Sequence, residues 1–163
     1  MKNMAFTAIF AGTLAGLAAC ASLQPPEPGA TTAAVQARLG PPTATYRSGD
    51  DTLLEYAKGP LGQFTWMARM GPDDKLKSFE QVLTAEKFAS IQPRKDTKET
   101  VLRTVGRPAE RLHFVSVDGD VWAYRYKEQL AWNSMMYVEF DRNGVVQALV
   151  NGPDPDYLER RGR

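Results

Sequence analysis

The chain has 163 residues, of which 43% are hydrophobic and 24% are charged, a globular composition with room for one ordinary domain or two very small ones. Lysine and arginine total 20 against 19 acidic residues, so no field of one sign is available to bind nucleic acid or steer a charged substrate. A single cysteine excludes an internal disulfide, and one cysteine with one histidine cannot form an ordinary zinc site.

The first 20 residues predict a secretion signal. Lys2 is followed by an uncharged apolar run that ends at Leu17-Ala18-Ala19-Cys20. The run is too short and too rich in alanine and glycine for a transmembrane helix, and it is typical of a signal peptide over residues 1–19. Its last four residues resemble the lipobox of bacterial lipoproteins, which implies cleavage before Cys20 and acylation of its thiol and its new amino group. The alternative is an ordinary signal peptide in which Cys20 is incidental.

The lipid would decide where the protein resides. Two or more acyl chains hold a protein stably in a leaflet, and after cleavage the chain has no net charge to add to that anchor. Ala21 stands where enterobacterial lipoproteins retained in the inner membrane carry aspartate. We therefore expect a lipid-anchored protein of the outer membrane that faces the periplasm. Residues 20–30 are the lipidated cysteine and a proline-rich tether, since three prolines favour extended backbone.

The rest of the chain predicts two copies of one small unit. The matching stretches are Val35–Pro42 with Val101–Pro108 at an offset of 66, Leu54–Tyr56 with Trp122–Tyr124 at 68, and Trp66–Met70 with Met136–Phe140 at 70. The offset grows by two at each presumed loop, as insertions between matching elements would produce. We expect a first, degenerate unit over 31–82, a second unit over 83–151 and a disordered tail over 152–163.

Each unit is predicted to begin with a short helix. In the second unit, Asp96 is expected to cap the helix and Gly106 to end it, because glycine readily adopts the left-handed conformation found after helix ends. In the first unit the cap is Thr31 or Thr32. A further helix is predicted from Thr84 to Ser90, directly before the second copy.

Antiparallel strands are predicted after each helix. Arg111–Val117 and Val121–Tyr126 flank Asp118-Gly119, a typical two-residue hairpin turn. Successive side chains of a strand point to opposite faces of the sheet, so one set in the second unit is expected to face the core. This set is Trp122, Tyr124, Tyr126, Met136, Val138 and Phe140. The strands of the first unit are Thr43–Arg47, Thr52–Ala57, Gln63–Met70 and Lys75–Val82. The expected fold class is α+β, with two similar small units, each with short helices packed on one face of an antiparallel β-meander.

The residue pattern offers little for catalysis. His113 falls in a predicted strand and has neither a metal partner nor a Ser-His-Asp arrangement. Asp50-Asp51 and Asp73-Asp74 occur in predicted turns, where aspartate is favoured for backbone reasons, and they lack calcium-loop spacing. The stretch 59–62 lacks the Gly-Lys-Ser/Thr of a phosphate loop. We expect no enzymatic activity, no cofactor, no metal and no small-molecule substrate.

One segment carries more apolar side chains than a core requires. Residues 130–137 read LAWNSMMY, and if Met136 points inward, then Met135 and Tyr137 point outward beside Trp132. Exposed Trp, Tyr and Met side chains are common at the centres of protein interfaces. Trp132, Met135 and Tyr137 are therefore the predicted protein-binding residues. The alternative, that the two units or their loops pack there, stays open.

Four stretches of the second unit form a familiar pattern. They are Leu83-Thr84-x-x-x-Phe88-x-x-Ile91, Thr97-Lys98-Glu99-x-Val101-Leu102-x-x-Val105-Gly106-x-Pro108, Trp122-x-Tyr124 and Phe140-Asp141-x-x-Gly144. With the lipobox, they resemble the SmpA/OmlA (BamE-like) family of outer-membrane lipoproteins. The resemblance covers the signal and residues 83–150, and the first unit is a more degenerate version.

The resemblance implies a non-catalytic, protein-binding accessory factor in outer-membrane β-barrel assembly or envelope integrity. Its implied partners are the membrane, through lipid on Cys20, and barrel-assembly or other envelope proteins, with no nucleic acid. The same unit, duplicated, builds a secreted inhibitor of β-lactamases, so the alternative is an inhibitor or sensor of a periplasmic enzyme. The chain departs from the barrel-assembly subunit in having two units, and in Lys95-Asp96 where that family carries a glycine. No partner-binding residue is carried over.

Overall fold

The computed structural model describes residues 25–58 and 62–157. Cys20 and its predicted lipid lie outside the described residues. The helices and strands follow in the order α1 (Thr32–Leu39), β1 (Ala44–Ser48), β2 (Asp51–Lys58), β3 (Phe64–Met70), β4 (Leu76–Gln81), α2 (Ala85–Ala89), α3 (Lys98–Val105), β5 (Glu110–Leu112), β6 (Val121–Glu128), β7 (Trp132–Phe140) and β8 (Val146–Pro153). In this part of the chain, no helix has the length and apolarity needed to cross a bilayer.

The strands form two antiparallel sheets of four strands each. Strands β1 to β4 pair in sequence order in the first sheet, and β5 to β8 pair in sequence order in the second. Each sheet is thus a meander preceded by a short helix. The predicted α+β class and two-unit arrangement are confirmed.

The two units share backbone details that their sequences show only weakly. Each has a register shift near the end of its third strand, between Arg69 and Met70 in one and between Glu139 and Phe140 in the other. An isolated bridge joins the residue before each helix to the last hairpin, Thr31 to Lys75 and Thr97 to Val145. Each helix ends at a glycine with positive φ, Gly40 at 85° and Gly106 at 81°. Positions that match in the two units therefore lie in matching backbone environments.

Apolar side chains from helices and strands share a core in each unit. The first core contains Val35, Leu39, Leu54, Tyr56, Ala68, Met70 and Leu76. The second contains Leu83, Phe88, Ile91, Val101, Val105, Trp122, Tyr124, Tyr126, Met136, Val138, Phe140 and Val146. Six side chains of the second unit were predicted to face the core from the alternation along their strands. All six belong to this second core.

The first sheet also buries its other face. Leu53, Met67 and Val82 form a third cluster there, with Tyr46 packed against it. A cavity of about 150 Å³ beside this cluster is lined on the opposite side by residues of α2 and α3. Those residues are Lys87 of α2, Ser90 at its C-cap, and Arg103 and Thr104 of α3. The helices of the second unit therefore contact the first sheet as well as their own.

The predicted Asp118-Gly119 hairpin is wrong. Strand β5 ends at Leu112, and residues 113–120 form a loop. A Cβ atom on Gly119 would lie 2.0 Å from the carbonyl oxygen of Phe140, and the Phe140 N–H donates to the Asp120 carbonyl at 2.8 Å. This glycine permits a close approach to β7 rather than a tight turn, so His113 lies in a loop.

The predictions of a tether before residue 31 and of a disordered tail after residue 151 are also wrong for the residues that the structure describes. Pro26 is buried, and the Gly29 N–H donates to the Leu76 carbonyl at 3.0 Å, so the chain packs on the first unit before residue 30. Strand β8 continues to Pro153, and Asp154 is buried beside Arg125. Residues 158–163 lie outside the described part. Backbone pairing and a buried ion pair thus order segments whose prolines and glycines indicated loops.

The helix caps match the prediction in one unit and differ in the other. Thr31 caps α1 by accepting a hydrogen bond from the Ala34 N–H at 3.3 Å. Thr97, not Asp96, is the N-cap of α3. The Asp96 carboxylate instead accepts the Gln92 N–H at 2.7 Å, which closes the turn before the helix.

Candidate functional site

The turn between β6 and β7 exposes two large apolar side chains. Gln129 and Leu130 adopt φ values of 50° and 60°, in the left-handed region that favours glycine or asparagine. Leu130 is 82% exposed, and Trp132 beside it is 67% exposed. We call residues 129–132 the hairpin tip. A turn that holds two non-glycine residues in a disfavoured conformation, to display a leucine to solvent, is a candidate binding feature.

Polar contacts hold the base of the hairpin tip. The Glu128 carboxylate accepts hydrogen bonds from the Ser134 hydroxyl at 2.8 Å and from the Asn151 amide at 3.2 Å. The Gln63 amide donates to the Asn133 side chain at 2.7 Å, which links the base to the first unit. The tip therefore projects from strands that are tied both to β8 and to the neighbouring unit.

The three predicted binding residues do not form one patch. Trp132 is exposed, as predicted, but it lies on the opposite face of β7 from Met135 and Tyr137. Tyr137 is half-buried, and its ring meets Phe114 of the 113–120 loop at 6.5 Å.

The predicted exposure of Met135 is wrong, because this side chain is only 2% exposed. Its register partner on the same face is Arg125. The Arg125 guanidinium pairs with Asp156 at 2.7 Å and with Asp154 at 3.7 Å, which brings the C-terminal segment over that face. The alternative of internal packing therefore holds for Met135.

A buried carboxylate joins the two units, and the sequence analysis missed it. Glu55 of β2 is fully buried. Its carboxylate accepts the Tyr46 hydroxyl at 2.5 Å, the Arg107 backbone N–H at 3.0 Å and the Thr43 hydroxyl at 3.3 Å. The Arg107 side chain lies 3.6 Å away. We call this cluster the interunit joint. The sequence feature that could have indicated a buried Glu55 is the pair of adjacent apolar residues Leu53-Leu54, which is typical of a strand covered on both faces.

The interunit joint predicts a loss of stability at high pH. Burial, and then the hydrogen bond to Glu55, raise the pKa of Tyr46 well above its ordinary value of 10.0. The folded protein therefore retains the phenolic proton longer than the unfolded chain, so this stabilisation is complete below pH 10 and is lost as pH rises toward the folded-state pKa. Tyr46→Phe should reduce the fall in unfolding free energy above pH 10 by about 1.4 kcal/mol per pH unit. Urea titrations at several pH values measure it, and parallel curves for both proteins would contradict it.

One cleft in the described part of the chain is lined by paired charges. It has a volume of about 600 Å³ and lies against the 113–120 loop. Lys98 bonds to Asp120 and lowers the pKa of that carboxyl, and Arg142 pairs with Asp118 at 2.5 Å. In the described part of the chain, no cluster of three His, Cys, Asp or Glu side chains is arranged to hold a metal ion. These ion pairs account for most of the charge in the cleft.

Comparison with known proteins leaves the family open. No family profile matches the sequence, and no curated protein sequence does. Among solved structures, the chain has a remote similarity to a DUF4309 family protein (YjgB) from Bacillus subtilis subsp. subtilis str. 168. The two are 14% identical over 76% of this chain and 78% of that one, with a TM-score of 0.32.

Proposed function

We propose that this protein is a non-catalytic, protein-binding lipoprotein of the outer membrane, held by acyl chains on Cys20 and facing the periplasm. The observation that carries the binding role is the hairpin tip. Its two left-handed residues display Leu130 next to Trp132 on strands fixed by Glu128 and Asn133. An exposed aromatic and an exposed aliphatic side chain on a rigid base are suited to filling an apolar pocket of a partner protein.

We further propose that the chain is a two-unit relative of the SmpA/OmlA (BamE-like) family, with the helices of each unit packed on one face of its own meander. The motif residues of the second unit support this, because Phe88, Ile91, Val101 and Val105 share one core with the aromatic strand β6. The first unit supports it through Val35 and Leu39 of α1, which share a core with β2 and β3.

Within that family, the role would be an accessory factor in β-barrel assembly or envelope integrity. The alternative is an inhibitor or sensor of a periplasmic enzyme, which the duplicated scaffold and the projecting hairpin tip favour. In both roles the contact residues are Leu130 and Trp132, so one experiment separates the two.

Trp132→Ala should abolish partner capture and leave the fold intact. Trp132 is mostly exposed, so its loss should change the free energy of unfolding by less than about 0.5 kcal/mol. Crosslinking of cells, gentle extraction and mass spectrometry should recover the barrel-assembly complex with the wild-type protein, and a periplasmic hydrolase instead would favour the alternative. Val115→Ala is the matched control, a fully exposed apolar residue outside the hairpin tip. Lost stability with unchanged capture would contradict the binding role.

Lipidation has its own test. Metabolic labelling with palmitate should mark the wild-type protein and leave Cys20→Ser unmarked. The labelled protein should fractionate with membranes, because two or more acyl chains hold a protein stably in a leaflet. The outer membrane is the expected fraction, because Ala21 replaces the aspartate of enterobacterial lipoproteins that are retained in the inner membrane. An unlabelled protein recovered free in the periplasm would contradict the anchor but would leave the binding role of the hairpin tip intact.

A further inference from the structure

A small cavity between the two units carries more positive than negative charge. It has a volume of about 150 Å³ and lies between one face of the first sheet and the helices α2 and α3. Among the described residues, three cationic side chains line it, Arg69, Lys87 and Arg103, and one acidic side chain does, Glu80. We call it the cationic cavity. Its lining therefore has a surplus of two positive charges.

Ion pairs with neighbouring acids do not remove this surplus. The Lys87 ammonium pairs with the Glu80 carboxylate at 2.9 Å. The Arg69 guanidinium pairs at 3.1 Å with Asp51, which is not among the residues that line the cavity. Asp51 also pairs with Lys77 at 2.6 Å, so one carboxylate there serves two cations. The cavity and its surroundings therefore stay positive even when these outer partners are counted.

Arg103 is the cation in the cavity whose charge is least compensated. It is half-buried, and in the part of the chain that the structure describes its guanidinium donates only to the Thr100 hydroxyl, at a long 3.5 Å. Glu99, one turn earlier on α3, accepts instead from the Thr97 hydroxyl at 2.7 Å. Arginine presents five N–H donors in a planar fork that matches the oxygens of a phosphate or a carboxylate. Most donors of Arg103 are therefore available to a ligand in the cavity.

A further donor lies on the opposite wall of the cavity. Ser78 is the register partner of Arg69, so the two side chains are neighbours on one face of the first sheet. The Ser78 hydroxyl forms no hydrogen bond with another described residue. The hydroxyls of Ser90 and Thr104 already donate to backbone carbonyls of their own helices, at 2.7 Å and 2.8 Å. Ser78 is therefore the hydroxyl of the lining that is available as a donor.

The volume of the cavity limits the size of its ligand. At about 30 Å³ for each water molecule in the liquid, the cavity has room for about five waters. A tetrahedral oxyanion such as phosphate has the same number of heavy atoms. A group of this kind, with its oxygens directed at arginine and hydroxyl donors, therefore suits the cavity in both size and charge.

We propose that the cationic cavity binds a phosphate group through the guanidinium groups of Arg69 and Arg103 and the hydroxyl of Ser78. A phosphate group with two titratable oxygens carries about 1.5 to 2 negative charges at pH 7, which balances the surplus of the lining. Arg69 and Ser78 belong to the first sheet and Arg103 to α3, so the bound group joins the two units. The proposal does not depend on Cys20 or on the hairpin tip.

Equilibrium dialysis of the purified mature protein against radiolabelled inorganic phosphate, at constant ionic strength, tests the proposal. The wild type should bind one equivalent with half-saturation at or below about 1 mM. Arg103→Gln should weaken binding about tenfold or more, because it removes a charged, forked donor. Arg47→Gln is the matched control and should bind like the wild type. The Arg47 guanidinium also donates to a threonine hydroxyl, that of Thr52 at 2.9 Å, but it does not line the cavity.

A second variant places a negative charge in the cavity permanently. Ser78→Asp sets a carboxylate beside Arg69, so it should abolish phosphate binding, and it should fold normally because Ser78 is exposed. In the wild type, about 10 mM phosphate should raise the unfolding temperature, since a ligand that binds only the folded state stabilises it. Phosphate also stabilises proteins by exclusion from their surfaces, an effect that Ser78→Asp retains. The difference between the two proteins therefore measures the site.

Competition with unlabelled glycerol phosphate identifies the source of the phosphate group. Displacement of the label would assign the cavity to the terminal phosphate of a larger molecule, and retention of the label would assign it to the free ion. A wild type that binds no phosphate at about 10 mM, ten times the expected half-saturation, would overturn the proposal. So would binding that Arg103→Gln and Ser78→Asp leave unchanged, or binding that Arg47→Gln weakens as much as Arg103→Gln does.

Discussion

Glu55→Ala is expected to lower the free energy of unfolding by about 3 kcal/mol. The substitution removes the acceptor of the Tyr46 hydroxyl and of the Arg107 N–H inside the interunit joint. A buried donor left without an acceptor costs about 1–3 kcal/mol, and two are stranded here. The Thr43 hydroxyl keeps a partner, because it also donates to the backbone carbonyl of residue 55 at 2.9 Å.

The matched control is Arg107→Ala. This variant loses a half-exposed guanidinium 3.6 Å from the carboxylate but keeps the backbone N–H that donates to it. An exposed ion pair contributes about 0–1 kcal/mol, so the expected loss is below 1 kcal/mol. Urea unfolding followed by tryptophan fluorescence measures both variants. Equal losses would show that the charge pair, rather than the hydrogen bonds, stabilises the joint.

Gly106→Ala should be almost as harmful, with a loss of about 3 kcal/mol. Its backbone angles, φ 81° and ψ −163°, lie in a region that essentially only glycine adopts, so a residue with a Cβ is strained there by about 1–3 kcal/mol. The new Cβ would also lie 2.9 Å from a carboxylate oxygen of Glu55 and 3.0 Å from the Thr65 methyl group. Glu55 has little freedom to move aside, because its three donors fix it.

Gly40→Ala separates strain from crowding. Gly40 ends α1 with a φ of 85°, and a Cβ there would meet nothing within 4 Å. Its ψ of −174° places it in the same glycine-only region as Gly106, so this variant should lose only the strain contribution of about 1–3 kcal/mol. Thermal and urea unfolding of the two variants give the comparison. A loss for Gly40→Ala as large as for Gly106→Ala would refute the claim that the joint is tightly packed at Gly106.

The sequence predicted the features that depend on local pattern. Alternating aromatic residues directed Trp122, Tyr124 and Tyr126 to one core, and glycines at matching positions ended the two unit helices. The repeat was visible because these signals recur in the same order. Each of them is set by neighbours within a few residues of the chain.

The predictions that were wrong concern strand faces that are buried by segments far away in the sequence. Alternation assigns Met135 and Glu55 to the outer face of a strand, but it does not say whether another element covers that face. The C-terminal segment covers Met135 through Arg125, and the residues after α3 cover Glu55 through Arg107. The pattern at Gly119 predicts a tight turn because glycine is favoured both in tight turns and where two segments approach closely, and the structure has the close approach.

The chain enters the first unit at one end of the strands, and the hairpin tip lies at the other. Gly29 and Thr31 meet the start of β4, whereas Trp132 follows the turn that Asn133 links to the opposite end of β3. The seven residues of β3 span about 23 Å. If acyl chains on Cys20 hold the protein as we propose, and its strands stand upright on the membrane, the folded part would act as a spacer that lifts the tryptophan above the headgroups. It would meet the part of a partner that protrudes into the periplasm, out of reach of anything embedded in lipid.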